Sequence, residues 1–342
     1  PAQRLLGLCH LFAAGFITLA ATRTDYNSLY TLVLLSVMFY MPTIALSNSV
    51  AYNALEKAGL DTVTHFPPIR VWGTVGFICA MWVVDLGKMG LSATQLYFSA
   101  TLGLILGLYS FTLPNCPINR SGGGKSIVDL LGLRAFALFK QRKMAIFFIF
   151  SMLLGMSLQI TNAFADGYIK SFGDTGIHGA KYLGTFGVEH STILISLSQI
   201  SETLCILLIP FFLKRFGIKR VMLIAMFAWV LRFALLGAGN PGPGVWMFIL
   251  SMIVYGVAFD FFNISGSLFV EKETSAAIRS SAQGVFMIMT NGLGALIGSY
   301  LAGWIVNHYG WPLSWYLFAG FSLVVAIVFA VIFKYKHDPN RI

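Results

Sequence analysis

Residues 193–236 read ILISLSQISETLCILLIPFFLKRFGIKRVMLIAMFAWVLRFALL, and this stretch decides the fold class. Two apolar blocks, Ile193 to Leu213 and Val221 to Leu236, are separated by a short basic turn, Lys214 to Arg220. A helix of about 20 apolar residues crosses a hydrocarbon layer about 30 Å thick, because each residue advances the helix by about 1.5 Å. The stretch therefore predicts two membrane-spanning helices joined by a tight turn.

The same pattern of apolar blocks runs along the whole chain. Hydrophobic residues make up 57% of the 342 residues, charged residues only 11%, and the mean hydropathy is +0.77. A soluble domain is closer to a quarter charged. Since lipid offers no partner to a free backbone N–H or C=O, helices are expected. Ten spans are predicted: Leu5 to Ala21, Leu29 to Leu46, Val71 to Leu86, Leu96 to Leu113, Met144 to Ala165, Ile193 to Leu213, Val221 to Leu236, Val245 to Ser265, Ala282 to Val306 and Trp315 to Phe333.

The basic residues alternate between the two sides of the predicted membrane. If the chain starts in the cytoplasm, 18 of the 23 Lys and Arg residues fall on the cytoplasmic side, four fall on the opposite side, and Arg232 lies within a span. An excess of Lys and Arg in short loops marks the cytoplasmic side of a membrane protein. The net charge of +10 is thus a topology signal and not a nucleic-acid-binding surface. Both termini of this multi-pass membrane protein are predicted to be cytoplasmic.

The longest cytoplasmic connection, 114–143, separates four spans from six. It contains the run Ser121 to Gly124 and the largest share of the basic residues, so it is interpreted as a linker. The predicted domains are a helical bundle at 1–113, the basic linker at 114–143, and a second bundle with a cytoplasmic tail at 144–342. Two bundles of six spans joined in this way are typical of major facilitator carriers. We expect an all-α membrane protein of this type that lacks the first two of twelve helices.

Two carboxylates lie in the middle of predicted spans of the second bundle. An ionisable group at membrane depth costs about 2.5 to 3.5 kcal/mol on insertion scales, so each one needs a reason. Glu202 shares a helix face with Gln199, one turn earlier. Asp260 lies near Tyr255 and Phe259, an aromatic surface that can stack a planar heterocycle. Both carboxylates are predicted to bind substrate or to carry a proton, and the alternative is a structural hydrogen bond to another helix.

Two further polar stripes lie on apolar helices. Gln159 and Asn162 are spaced i, i+3 and either bind a ligand or hold two helices together. Arg70, Thr74 and Phe77 form the corresponding stripe in the first bundle, where an arginine, which keeps its proton, is expected to bind ligand or pair with a carboxylate. Arg232 is expected to snorkel to the interface or to form a structural pair, outside the site.

Five segments resemble the bacterial nucleoside:proton symporter family of the major facilitator superfamily: THFPPIRVWGTVGFI at 64–78, AIFFIFSMLLGMSLQITN at 145–162, SQISETL at 198–204, PFFLKRFGIKRVM at 210–222 and SMIVYGVAFDFFNISGSLFVEKE at 251–273. The resemblance implies a carrier of the bacterial inner membrane that imports nucleosides such as uridine and adenosine by proton symport, with the proton as coupling ion and no other cofactor. The carrier is expected to be monomeric. It also implies that nucleoside binding and proton coupling involve the positions already singled out: Arg70, Thr74, Phe77, Gln159, Asn162, Gln199, Glu202, Tyr255, Phe259 and Asp260, with Glu202 and Asp260 carrying the proton.

Three other functions are weighed against this one. A carrier of the same fold for an oligosaccharide or a drug, or a membrane receptor that binds nucleosides without moving them, would have the same pattern of spans. An enzyme is not expected, because no nucleophile and base stand at catalytic spacing. The six histidines form no cluster of metal ligands in the sequence, and SGGGKS at 121–126 lacks the spacing of a phosphate-binding loop.

Overall fold

The computed structural model of the chain describes residues 2–60, 62–90, 92–116, 133–178, 180–274 and 278–335. Regular structure in these ranges is helical, which confirms the all-α prediction. The elements are α1 (Ala2–Ala21), α2 (Tyr26–Lys57), α3 (Thr62–Leu86), α4 (Thr94–Ser110), a 3-10 helix (Leu133–Lys140), α5 (Arg142–Ser171), α6 (Thr175–His178), α7 (Phe186–Glu189), α8 (Ser191–Ala238), α9 (Val245–Glu273), α10 (Arg279–Met287), a π-helix (Ile288–Gly294) and α11 (Ala295–Ile332).

Helix α8 is two helices joined at Gly217. That residue has φ 75° and ψ 166°, a conformation that glycine adopts without a Cβ clash. Ser201 before it packs against Gly256 of α9, and Trp229 after it packs against Tyr255 of the same helix. A continuous helix would separate Ser201 and Trp229 by about 42 Å. The chain therefore folds back at Gly217, as the basic turn in the sequence predicts.

Helix α11 folds back in the same way at Gly310, where φ is 71° and ψ is 172°. Gly298 before this residue packs against Met156 of α5, and Ser322 after it lies 3.3 Å, hydroxyl to hydroxyl, from Ser157 of α5. The two halves of α11 thus lie against the same part of α5, although a straight helix would hold Gly298 and Ser322 about 36 Å apart.

With these two reversals, each of the ten predicted spans corresponds to a helical segment of the described chain. Six continuous helical stretches there are long and apolar enough to cross a membrane, two of them folded back, while α4 and the apolar stretch Val71–Leu86 of α3 are shorter. Helix α3 begins at Thr62, before the predicted start, because an apolar block marks the hydrocarbon layer and not the helix end. Helix α4 ends at Ser110, before the predicted Leu113, and Pro114 follows.

The chain divides into two compact units, Pro1–Gly123 and Gly124–Ile342. In the first unit α1 packs between α2 and α4: Ser36 donates a hydrogen bond to the carbonyl of Ala13 at 2.9 Å, and a Cβ on Gly7 would lie 2.9 Å from the carbonyl oxygen of Gly107. Most of the predicted linker lies outside the described residues, so the domain boundaries at 113 and 143 stay predictions.

The second unit is built around a core of aromatic side chains. Trp229, Phe233 and Trp315 are fully or almost fully buried and join α8 to α11. Small residues allow the helices to approach closely; a Cβ on Gly155 of α5 would lie 2.1 Å from the carbonyl oxygen of Thr290 in the π-helix. In a membrane, where lipid competes with apolar side chains, such close backbone packing is a main source of helix association.

Candidate functional site

The candidate site is built around the crossing of α8 and α9 in the second unit. A Cβ on Gly256 of α9 would lie 2.6 Å from the carbonyl carbon and oxygen of Ser201 in α8, so the two backbones touch here. The Ser201 hydroxyl donates to the carbonyl of Ile253, and the Ser198 hydroxyl lies 3.1 Å from the sulfur of Met252. Because Ser201 is held against α9, its neighbour Glu202 is held beside α9 as well.

The crossing brings the two predicted carboxylates into one region. Glu202 on α8 is half-buried, and Asp260 on α9 is 3% exposed. The two carboxylates lie within electrostatic range of each other, and both lie within that range of the Tyr255 hydroxyl. Among the described residues Asp260 Oδ2 has no hydrogen-bond partner. A buried, unpartnered carboxylate oxygen is unfavourable, and a proton or a ligand hydrogen bond at that oxygen would relieve the cost.

An aromatic surface lies beside the carboxylates. The rings of Tyr255 and Phe259 stack with 5.8 Å between centroids and 18° between planes, and Trp229 meets Tyr255 edge-on at 6.0 Å. Phe259 and Trp229 also line a cleft of about 20 Å³ between α5, α8, α9 and the π-helix. The remaining lining residues are Leu154, Gly155, Leu158, Ala258, Phe262, Asn263, Thr290 and Asn291. A cleft of this volume holds about one water molecule, so a larger ligand requires the helices to separate.

Gln159 and Asn162 lie on α5, one helical turn beyond the cleft-lining residues Gly155 and Leu158. Gln159 is half-buried and Asn162 is exposed. No side-chain hydrogen bond joins either amide to another described residue, so within this part of the chain they do not tie two helices together. Gln199 on α8 is half-buried, and its backbone carbonyl accepts a hydrogen bond from the Thr203 hydroxyl at 3.1 Å.

Arg70, Thr74 and Phe77 belong to α3 in the first unit. Thr74 is half-buried, and the Phe77 ring is 54% exposed, whereas the side chain of Arg70 lies outside the described residues. Their assignment to the same site as the residues of the second unit stays a prediction.

Sequence reasoning missed two features of this site. Arg232 does not snorkel: it is 1% exposed, and its guanidinium lies over the ring of Tyr255, with 4.7 Å from Cζ to the centroid. Asn291 lies in the cleft on a π-helix, which forms where one i→i−4 turn is widened and has no reliable sequence pattern. Asn263 also lines the cleft, and the sequence already places this carboxamide on a turn adjacent to Asp260.

The described residues hold no group of three or more His, Cys, Asp or Glu side chains arranged to bind a metal ion. What the site offers chemically is a pair of carboxylates, several carboxamides and a stacked aromatic surface. This set can exchange a proton, donate and accept hydrogen bonds, and stack a planar ring.

Relatives of the chain are transporters. Residues 1–338 match the family model of the nucleoside H+ symporter. The chain is 50% identical to the nucleoside permease NupG of Escherichia coli, over 98% of this chain and 81% of that protein, and 50% identical to the xanthosine permease of the same organism, over 100% and 82%. Membership of a group of permeases confirms the prediction that the chain is a transporter and not an enzyme.

Solved structures agree with the sequence relatives. A crystal structure of a mutant of the nucleoside transporter NupG superposes with a TM-score of 0.91 at 49% identity, covering 98% of this chain and 84% of that one. A second crystal structure of NupG superposes with a TM-score of 0.87 at 50% identity, with the same coverage of both chains. This match confirms the predicted major facilitator-type fold. The chain therefore belongs to the nucleoside H+ symporter family of membrane transporters.

Proposed function

We propose that this protein imports nucleosides, uridine and adenosine among them, by proton symport through alternating access. The single observation that carries the proposal is the grouping of Glu202 and Asp260 with the stacked rings of Tyr255 and Phe259, in a member of the nucleoside H+ symporter family. A nucleoside has a planar base and a hydroxyl-rich sugar, and this group of side chains complements both parts.

The base is proposed to stack on the surface formed by Tyr255 and Phe259. The carboxamides of Gln159, Asn162 and Gln199 are proposed to bind base edges or ribose hydroxyls, because a carboxamide both donates and accepts hydrogen bonds. Arg70, Thr74 and Phe77 of the first unit are also proposed to bind the nucleoside.

Proton coupling is proposed to reside in Glu202 and Asp260. Two neighbouring carboxylates at low dielectric repel each other when both are ionised, so the pair is proposed to share a proton. A carrier needs this property, since the proton must be bound on one side of the membrane and released on the other. The unpartnered Oδ2 of Asp260 makes that residue the proposed carrier of the proton, with Glu202 nearby to favour its uptake.

We further propose a monomer in the bacterial inner membrane with both termini in the cytoplasm. The proposed domains are the bundles at 1–113 and 144–342 and the basic linker at 114–143. The distribution of basic residues, 18 against four, supports the orientation.

The test is uptake of labelled uridine and adenosine by cells that lack their own nucleoside carriers and express the intact gene, with and without a protonophore. We expect both nucleosides to accumulate above the external concentration, and accumulation to collapse with the protonophore. Binding without uptake would instead identify a receptor. Absence of both binding and uptake, with membrane expression confirmed, would favour a carrier of another substrate, such as an oligosaccharide or a drug.

A further inference from the structure

Arg232 places a full positive charge in the core of the second unit. The residue lies on the second half of α8 and is 1% exposed. No Asp or Glu of the described chain forms an ion pair with it, and its Nε has no hydrogen-bond partner there. Because a charge at membrane depth is unfavourable by several kcal/mol, a guanidinium without a carboxylate partner requires some other stabilising contact.

The first set of contacts is a clamp between α8 and α9. Nη1 of Arg232 donates to the carbonyl of Ser251 at 2.5 Å, and the Ser251 hydroxyl donates back to the carbonyl of Arg232 at 3.1 Å. The sulfur of Met252 lies 3.8 Å from Nη1 and 3.7 Å from Nη2. This reciprocal pair of hydrogen bonds holds the guanidinium at a defined position against the first half of α9.

The second contact is with the aromatic surface of the site. From this position the guanidinium lies over the Tyr255 ring at 4.7 Å, the geometry of a cation–π interaction, which is strongest where water is excluded. Trp229 abuts the same ring edge-on, and Phe259 stacks beside it. Phe259 and Trp229 in turn line the cleft. The orientation of the rings at the cleft is therefore linked, through Tyr255, to the guanidinium.

We propose that Arg232 is a positioning residue for nucleoside binding, which holds Tyr255 and Phe259 in the orientation that stacks the base. The inference rests on the proposed nucleoside transport and adds a residue outside the set that touches the substrate. Arg232 acts through Tyr255, so its loss weakens nucleoside affinity while the proton-carrying carboxylates and the rate of turnover at saturation are unaffected.

Two variants test the proposal. Arg232→Lys keeps the charge but lacks the planar guanidinium, and Arg232→Met keeps a similar side-chain length but lacks the charge. Affinity for uridine and adenosine is measured by calorimetry on the purified full chain, and KM and maximal rate are measured by uptake. We expect Kd and KM to rise about five- to thirtyfold for Arg232→Met, the size of a desolvated cation–π contact, less for Arg232→Lys, and the maximal rate per folded molecule to stay near wild type.

The matched control is Lys181→Met. Lys181 also lies over a tyrosine, Tyr182, at 5.1 Å, but in the loop before α7 and away from the cleft. Its substitution is expected to leave Kd unchanged. A double-mutant cycle with Tyr255→Leu tests whether Arg232 affects nucleoside affinity through Tyr255. If it does, Arg232→Met should cause no further loss of affinity in the Tyr255→Leu background.

Melting temperature in detergent separates misfolding from weaker binding. If both Arg232 variants fail to fold, Met252→Leu removes only the sulfur contacts and is expected to raise Kd about twofold. Wild-type Kd in the folded variants, or an equal loss of affinity with and without Tyr255, overturns the positioning role. A wild-type protein that binds neither nucleoside overturns the proposed function itself.

Discussion

Asp260 is an ionisable residue in a buried environment that disfavours its charge. Its side chain is 3% exposed, and its Oδ2 has no partner among the described residues, although a carboxylate is among the groups least tolerated in such a place. Spacing in the sequence predicts Asp260, Glu202, Gln199, Tyr255 and Phe259 as residues of the site. Spacing could not select Arg232, because the ring it contacts lies on a different helix.

At the residue scale we predict that Asp260→Asn and Glu202→Gln abolish proton-driven accumulation of nucleoside. Each substitution keeps side-chain size and hydrogen-bonding capacity but removes a group that can release a proton. The measurement is the ratio of internal to external labelled uridine with and without a protonophore. We expect this ratio to fall to about one and to become insensitive to the protonophore.

Asp174→Asn is the matched control, because Asp174 is exposed and accepts a hydrogen bond from the backbone amide of Gly176 in its own loop. Full accumulation in both site variants would show that neither carboxylate carries the proton. Loss of accumulation in Asp174→Asn as well would point to a general defect of expression or folding.

At the element scale, the crossing of α8 and α9 decides the site. Hydrophobic blocks locate both helices, but the contact between them depends on one residue without a side chain, Gly256, facing Ser201. A glycine inside an apolar span is compatible with close packing, a kink or neither, so its partner is not evident from the sequence. The close contact between Gly155 and the π-helix is likewise not evident from the sequence.

We predict that Gly256→Ala destabilises the protein by about 1 to 3 kcal/mol, because its Cβ would lie 2.6 Å from backbone atoms that cannot rotate away. Thermal unfolding in detergent measures the effect, which should be a lower melting temperature. Gly320→Ala is the control: a Cβ there meets nothing within 4 Å, so the substitution should be neutral or slightly stabilising. Equal melting temperatures for the two variants would contradict the close crossing.

At the scale of the whole molecule, the distribution of Lys and Arg residues predicts the membrane topology. The basic residues that set the orientation lie mostly in short loops, and the fold-backs at Gly217 and Gly310 keep consecutive spans antiparallel. An inward bias of Lys and Arg acts during insertion, before any tertiary structure exists. For that reason the orientation of the protein in the membrane can be predicted from the sequence alone.

We predict that a membrane-impermeant maleimide labels Lys181→Cys in intact cells, whereas it labels Lys214→Cys only after permeabilisation. Lys181 lies between α6 and α7, and Lys214 lies in the basic turn of α8, on the opposite side of the membrane in the predicted topology. The background carries serine in place of Cys9, Cys79, Cys116 and Cys205. Labelling of Lys214→Cys from outside would reverse the proposed orientation.

The helical membrane fold, the number of spans and the polar stripes on them can be predicted from the sequence alone. These features follow from the local hydrophobicity and residue spacing of single segments, because each helix must match the thickness of the bilayer and satisfy its backbone hydrogen bonds by itself. The contacts between helices are visible only in the folded chain: Ser201 contacts Gly256, Arg232 lies over Tyr255, and a π-helix brings Asn291 to the cleft with Asn263. Contacts between distant segments depend on how side chains of several helices pack together, and no periodicity within one helix encodes its neighbour.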